Sequence, residues 1–246
     1  MTDDATTAGA AGTAATAAHP GDPDLLRTRR VLHGIAEHVL AAHEFRVIRR
    51  IALRVRPHGF ATFDLPPGTE PPGLELVEAT LVTRPGEPGV PLAGQPLGEL
   101  AAALGVTFGL PDDAPYRAAS GCRPDDPAVL EPSALQRLLT AWRDGDAALR
   151  RLASRDRPQD PPEPVLWPEH FDVGLALDQV NYGVSPGDDF LPVPYAYVGP
   201  WQRRRGDFWN APFGAAVSVD RLGDAAALVD FFRTGQARAA QDPAAG

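Results

Sequence analysis

Residues 165–214 carry ten of the chain's eighteen aromatic side chains, including three of its four Trp and three of its four Tyr. Large rings set among Pro, Gly, Asp and Asn favour short strands and shaped loops, so this block is expected to be β-rich and to hold the protein's concave surface. Within it Phe171, Val173, Leu175 and Leu177 alternate with His170, Asp172, Gly174, Ala176 and Asp178. A strand sends those two sets to opposite faces, one apolar and one polar, and Gly174 and Ala176 keep the polar face low. Tyr195 and Tyr197 share one face of another strand, and 213–219 reads as a third.

Outside that block the periodicity changes. From Asp22, with Asp22 or Asp24 as cap, Leu25, Leu32, Ile35, Val39 and Ala42 recur at helical spacing. Ile51, Leu53 and Val55 alternate with Arg50, Arg54 and Arg56 and turn at Pro57-His58-Gly59 into 60–63, a predicted hairpin. A single strand over 74–83 would bring Glu75 and Glu78 to the arginine face. Pro96 and Gly105 bracket a short helix, 110–131 reads as a long loop, and Leu135, Leu138, Leu139, Trp142, Leu149 and Leu152 make the stripe of a long central helix. Leu222, Ala226, Val229 and Phe232 close the chain with a C-terminal helix. The predicted class is α+β, mainly antiparallel sheet with N-terminal, central and C-terminal helices packed on it. The expected division is a disordered tail at 1–21, a helix-plus-hairpin subdomain at 22–156, a Pro-rich connection at 157–164, an aromatic β subdomain with its helix at 165–240, and a disordered tail at 241–246; the two subdomains can also form one compact domain.

Composition removes several chemistries. All 23 basic residues are Arg, so no Schiff-base lysine, pyridoxal-phosphate anchor or phosphate-loop lysine exists. A formal charge of −9 disfavours a polyanion, and nucleic acid is not an expected partner. Neither a secretory signal nor a membrane span is legible, and the single Cys122 makes no intramolecular disulfide, which together suggest a cytoplasmic protein. Cys122 neighbours Arg123 but no histidine, and reads as an inert or oxidisable thiol.

Gly183-Val184-Ser185-Pro186-Gly187 matches a nucleophile elbow in letters only. Pro186 has no N–H for an oxyanion hole and no histidine follows His170, so a Pro-Gly turn with a capping serine explains it better. His170 and Asp172 with Asp188 and Asp189 would supply metal ligands, yet a hydrogen-bonded His–Asp pair is the commoner arrangement, and no metal or other cofactor is predicted. Glu169, Asp172, Asp188 and Asp189 beside Trp167, Tyr195, Tyr197 and Trp201 have the composition of a sugar site without its diagnostic spacing. Arg203-Arg204-Arg205 reads as a solvated loop rather than an anion clamp. His33, His38 and His43 are five apart, about 140° round an α-helix, and read as surface or edge residues.

The segments LWPEHFD at 166–172, NYGVSPGDD at 181–189, PYAYVGPW at 194–201 and FWNAPFGA at 208–215 resemble a family of actinobacterial proteins with no assigned activity. The resemblance runs from about Leu26 to Ala237 and implies no catalytic role.

Two functional readings follow. In the preferred one the chain is a small-molecule binding protein or enzyme whose pocket is built from His170, Asp172, Asn181, Tyr182, Tyr195, Tyr197, Trp201, Trp209 and Asn210. His170 and Asp172 would be its acid–base pair, since imidazole is the side chain that ordinarily titrates near neutrality. In the other, the aromatic loops form a flat partner-binding patch around Trp201 and Trp209, and the His–Asp pair is structural. Neither reading fixes an oligomeric state.

Overall fold

The computed structural model describes residues 21–83, 88–157 and 159–245. The expected N-terminal tail lies, but for Gly21, outside the described residues. Asp22 caps the first helix by accepting the Asp24 N–H at 3.0 Å, and Pro23 occupies the first turn, where its missing N–H costs nothing. That helix, α1 (Pro23–Ile35), runs without a break through a π-helical turn at Ala36–Ala41 into α2 (Ala42–Ile48). Arg49, in the left-handed region, ends it.

A first antiparallel meander follows: β1 (Arg54–Arg56), β2 (Gly59–Ala61), β3 (Glu75–Val77), β4 (Thr80–Val82) and β5 (Val90–Pro91). The single strand expected over 74–83 is in fact the β3–β4 hairpin, because Glu78 takes a positive φ of 53° and reverses the chain. Glu78 then lies beside His58, and Arg54 pairs with Asp64 instead of a β3 glutamate. After α3 (Leu97–Ala103), the segment 106–131, which includes the loop predicted at 110–131, crosses the surface and lies over the α1–α2 helix.

The central helix, α4 (Pro132–Asp156), is capped by the Glu131 carboxylate on the Ala134 N–H at 2.7 Å. It leads to a second meander, β6 (Val165–Trp167), β7 (Asp172–Leu177), β8 (Val180–Ser185), β9 (Tyr195–Pro200) and β10 (Ala215–Ser218), then the single turn α5 (Val219–Leu222) and α6 (Ala225–Gln241). Residues 243–245 double back along 203–205, so Arg203–Arg205 serve as backbone partners of the C-terminus. Among the described residues no helix is long and apolar enough to cross a membrane.

The two sheets meet at a bridge, with Leu53 and Leu166 exchanging N–H···O bonds of 2.9 and 2.8 Å. Trp142 of α4, Phe60 of β2 and Phe171 close over this joint, their centroids 4.7–6.2 Å apart. Across the second sheet Val173, Val184 and Ala196 form one inward row, Leu175, Tyr182 and Val198 the next. Helices α4 and α6 cover both rows closely, because Gly145 and Gly235 face the sheet. A Cβ at Gly145 would stand 2.8 Å from Val184, and one at Gly235 2.6 Å from Val198. The other face of this sheet is left without a helical cover, and it holds the candidate site.

Candidate functional site

Strand parity builds the site. On the uncovered face Asp172, Ser185 and Tyr195 form one row, Gly174, Gly183 and Tyr197 the next, and Ala176, Asn181 and Gly199 a third. With Glu169, His170, Asp188, Trp201 and Phe213 at the rim, Asp172, Ser185, Tyr195, Tyr197, Asn181 and Gly199 of these rows border a cleft of about 560 Å³.

Gly174 and Gly183 are cross-strand partners, and together they make a trough. The hollow that the small side chains suggest is taken by the protein's own phenol. A Cβ at Gly183 would stand 2.4 Å from the Tyr197 hydroxyl, and one at Gly174 3.1 Å from it. Tyr197 lies across both glycines and donates its hydroxyl to Asp172 Oδ2 in a short hydrogen bond. Asp172 is 6% exposed, and its Oδ1 has no hydrogen-bond partner among the described residues. Burial pushes the Asp172 carboxyl up, against the opposing pull of the Tyr197 donor, and holds the Tyr197 phenol well above its ordinary value.

The far wall is pinned in the same way. Tyr195 donates to Asp188 Oδ2 at 2.6 Å, while Asp188 Oδ1 accepts the Phe190 and Leu191 N–H groups at 2.9 and 3.0 Å. Ser185 is buried and accepts the Gly187 N–H at 3.1 Å, so it is the capping serine of a Pro-Gly turn, as the sequence predicts. Trp201 is 65% exposed, yet its indole N–H is fixed on Asn181 Oδ1 at 3.1 Å.

Six of the nine sequence-derived pocket residues line this cleft: His170, Asp172, Asn181, Tyr195, Tyr197 and Trp201. The other three lie elsewhere. Tyr182 follows Asn181 in β8, so pleating turns it inward, where it packs on Phe232. Trp209 packs on Phe208 and donates to Asp242 at 2.9 Å. Asn210 makes a two-point clasp on the Ala216 backbone.

His170 departs from its expected setting. It sits in the turn before β7, because Phe171 takes a positive φ of 56° and the strand begins only at Asp172. Its side chain is 74% exposed and lies 3.6 Å from Glu169, while the Asp172 hydrogen bond goes to Tyr197. No group of three or more His, Cys, Asp or Glu side chains is arranged to hold a metal among the described residues.

A second polar cluster sits at the π-helical turn, and here the expectation of surface histidines is corrected. Glu37 is fully buried and accepts the Ala119 and Ser120 N–H groups at 2.7 and 3.0 Å. His33 and His38 stand 4.0 and 3.5 Å from it. His33 stacks on Phe171 and bonds the Pro168 carbonyl at 2.6 Å; His38 reaches Ser120 Oγ at 3.2 Å and stacks on Phe108. His43 bonds the Pro71 carbonyl at 3.2 Å, and burial lowers all three imidazoles. Glu44, also buried, accepts the Phe63 N–H at 2.7 Å, and burial raises its carboxyl to about 7. Cys122 is buried against this helix, its thiol raised by burial and donating to the Arg30 carbonyl at 3.3 Å. The signal that marks this cluster in the sequence is the alternation of Glu and His with apolar residues inside one helix, at 33–44.

No known protein family matches the chain, and no curated protein or solved structure matches it.

Proposed function

We propose that the chain is a small-molecule binding protein, and that its site is the cleft on the uncovered face of the second sheet. The observation that carries this reading is the buried Asp172 carboxyl at the cleft, held by Tyr197 through one oxygen and unpartnered at the other. An unmet buried acceptor costs about 1–3 kcal/mol, and a guest with a donor offsets that cost. Aromatic walls fixed by hydrogen bonds at their polar tips supply the preorganised shape that binding requires. His170, exposed at the rim beside Glu169, is the residue that would move a proton if the bound molecule is also transformed.

Partner docking is the second reading, and it draws on the exposed apolar surface of Trp167, Phe190, Trp201 and Phe213. A thermal-shift screen of metabolites on wild type, His170→Ala and Trp201→Ala separates the two. The binding reading expects compounds that raise the Tm of wild type and lose their effect in at least one variant. A wholly silent screen, or shifts untouched by both substitutions, would overturn it.

A further inference from the structure

We infer that the cleft selects an organic cation, a quaternary or protonated amine held against the Tyr195, Tyr197, Trp201 and Phe213 rings with Glu169 and Asp188 as counter-charges. This rests on the binding reading above and names its ligand class.

The first support is the accounting of protons. Tyr195 gives its hydroxyl proton to Asp188, Tyr197 gives its own to Asp172, and Trp201 gives its indole proton to Asn181. Three of the cleft's four aromatic residues have therefore spent their polar tips within the protein, and Phe213 has none. What these side chains offer a guest is π surface. Only Ser185, Asn181 and His170 remain as lining side chains with a proton to give; of the three carboxyls, Asp188 is filled by Tyr195 and two backbone N–H groups, which leaves Glu169 and the second oxygen of Asp172 to face a guest. Such a lining fits a guest that brings its own donors or its own positive charge. A sugar, which must have its hydroxyl oxygens satisfied by donors, fits less well.

The second is the shape of the aromatic wall. Phe213 lies 6.3 Å from Tyr195 with its plane tilted by only 25°, and 6.2 Å from Tyr197 at 83°. Two nearly parallel rings and one perpendicular ring give a corner of π faces and edges, and Trp201 stands apart as an exposed wall. Cations bind such faces through the ring quadrupole, most strongly where water is partly excluded.

The third is charge. Among the described residues no arginine lines the cleft. Arg29 belongs to a separate depression of about 330 Å³ that shares only His170 and Asp188 with it. The buried Asp172, with one oxygen unpartnered, adds an acceptor beneath the rings. An anionic guest would meet the Glu169 and Asp172 carboxyls, and the Arg29 guanidinium outside the cleft is already coupled to Asp188 and Asp189.

The test compares choline with 3,3-dimethyl-1-butanol, its uncharged isostere, and with methyl glucoside, at matched ionic strength. Binding is read from the Trp201 indole N–H resonance of the full chain, and from ligand-observed NMR of the same probes in every variant, including those that lack Trp201. Choline is expected to move that resonance saturably and to bind at least about tenfold more tightly than the isostere. Trp201→Ala should abolish binding, Trp201→Phe should restore part of it, and Glu169→Gln should weaken choline without changing the isostere. Equal binding of choline and the isostere, or preference for the glucoside, overturns the cation assignment and leaves the binding site standing. Silence from all three probes while the metabolite screen yields neutral or anionic hits has the same meaning. Silence in both experiments ends both readings.

Discussion

Tyr197 reaches across two neighbouring strands to donate to Asp172, and it can do so only because Gly183 and Gly174 lie under its ring. The bond fixes one wall of the cleft and satisfies half of a buried carboxyl. Tyr197→Phe should cost about 1–3 kcal/mol, because the acceptor stays buried without its donor. Burial raises the Asp172 carboxyl above its ordinary 3.8, so the folded state holds that proton to higher pH than the unfolded chain. Its contribution to stability is complete below 3.8 and is lost as pH climbs through the raised value. Without the phenol the carboxylate is costlier still, so denaturant titrations should find the Phe variant's deficit larger at about pH 8 than at about pH 4. A deficit independent of pH would assign Tyr197 to packing alone.

Glu44 gives a second pH signature. The folded carboxyl keeps its proton to about 7, against an ordinary 4.5, although the Phe63 N–H and Arg50 pull it the other way. Stability is full below 4.5 and falls as pH rises through about 7. Glu44→Gln should remove that slope, so the variant gains on wild type between about pH 5 and about pH 8, by a margin on the order of 1–3 kcal/mol. Parallel melting curves of the two proteins across that range would refute the assignment.

Glycine in a helix normally costs about 1 kcal/mol relative to alanine. At Gly145 and Gly235 the sign reverses, since a methyl group would press on Val184 or Val198 at under 3 Å. Each Gly→Ala change should destabilise the protein by about 1–3 kcal/mol, with Val184→Ala rescuing the first and Val198→Ala the second. Additive double mutants would show that the helices have room to shift.

Glu37 ties the loop at 119–120 to the π-helical turn by two hydrogen bonds, and Cys122 is shut in behind that loop. Wild-type thiol should react with an aromatic disulfide reagent only on unfolding, because burial both hides the thiol and raises it. Glu37→Ala should accelerate native-state labelling by roughly tenfold or more, as each of the two lost bonds is worth about 0.5–1.5 kcal/mol of local closure. Unchanged labelling in a folded Glu37→Ala protein would show that the loop is held by other contacts.

Much of the architecture is legible in local pattern. The leucine stripe from Leu135 to Leu152 specifies α4, and the alternation of Val173, Leu175 and Leu177 specifies both β7 and its buried side. The candidate site is partly legible for the same reason, since parity alone places Asp172 with Gly174 and Tyr195 with Tyr197. Parity also separates Tyr182 from Asn181, a constraint that composition overlooks. What local pattern leaves out is set by distant chain. Phe171 adopts a left-handed backbone that removes His170 from the strand, and Tyr197 fills the space over Gly174 that the sequence marks, with Ala176, as open. The helix histidines are hidden because distant chain covers them: Pro168 and Phe171 meet His33, Ser120 and Phe108 meet His38, and Glu37 stands four residues after the one and next to the other.

The position of α4 has a consequence for how the chain comes apart. This one rod rests on α1, β1, β7, β8 and α6 at once, while the strand edges clasp at Leu53 and Leu166. A protease that nicked the proline-rich stretch after it would leave two pieces, each the raincoat of the other. The C-terminal piece alone would show water the valines that Gly145 now shelters, and would survive only by finding its lost companion or by clumping with its own kind.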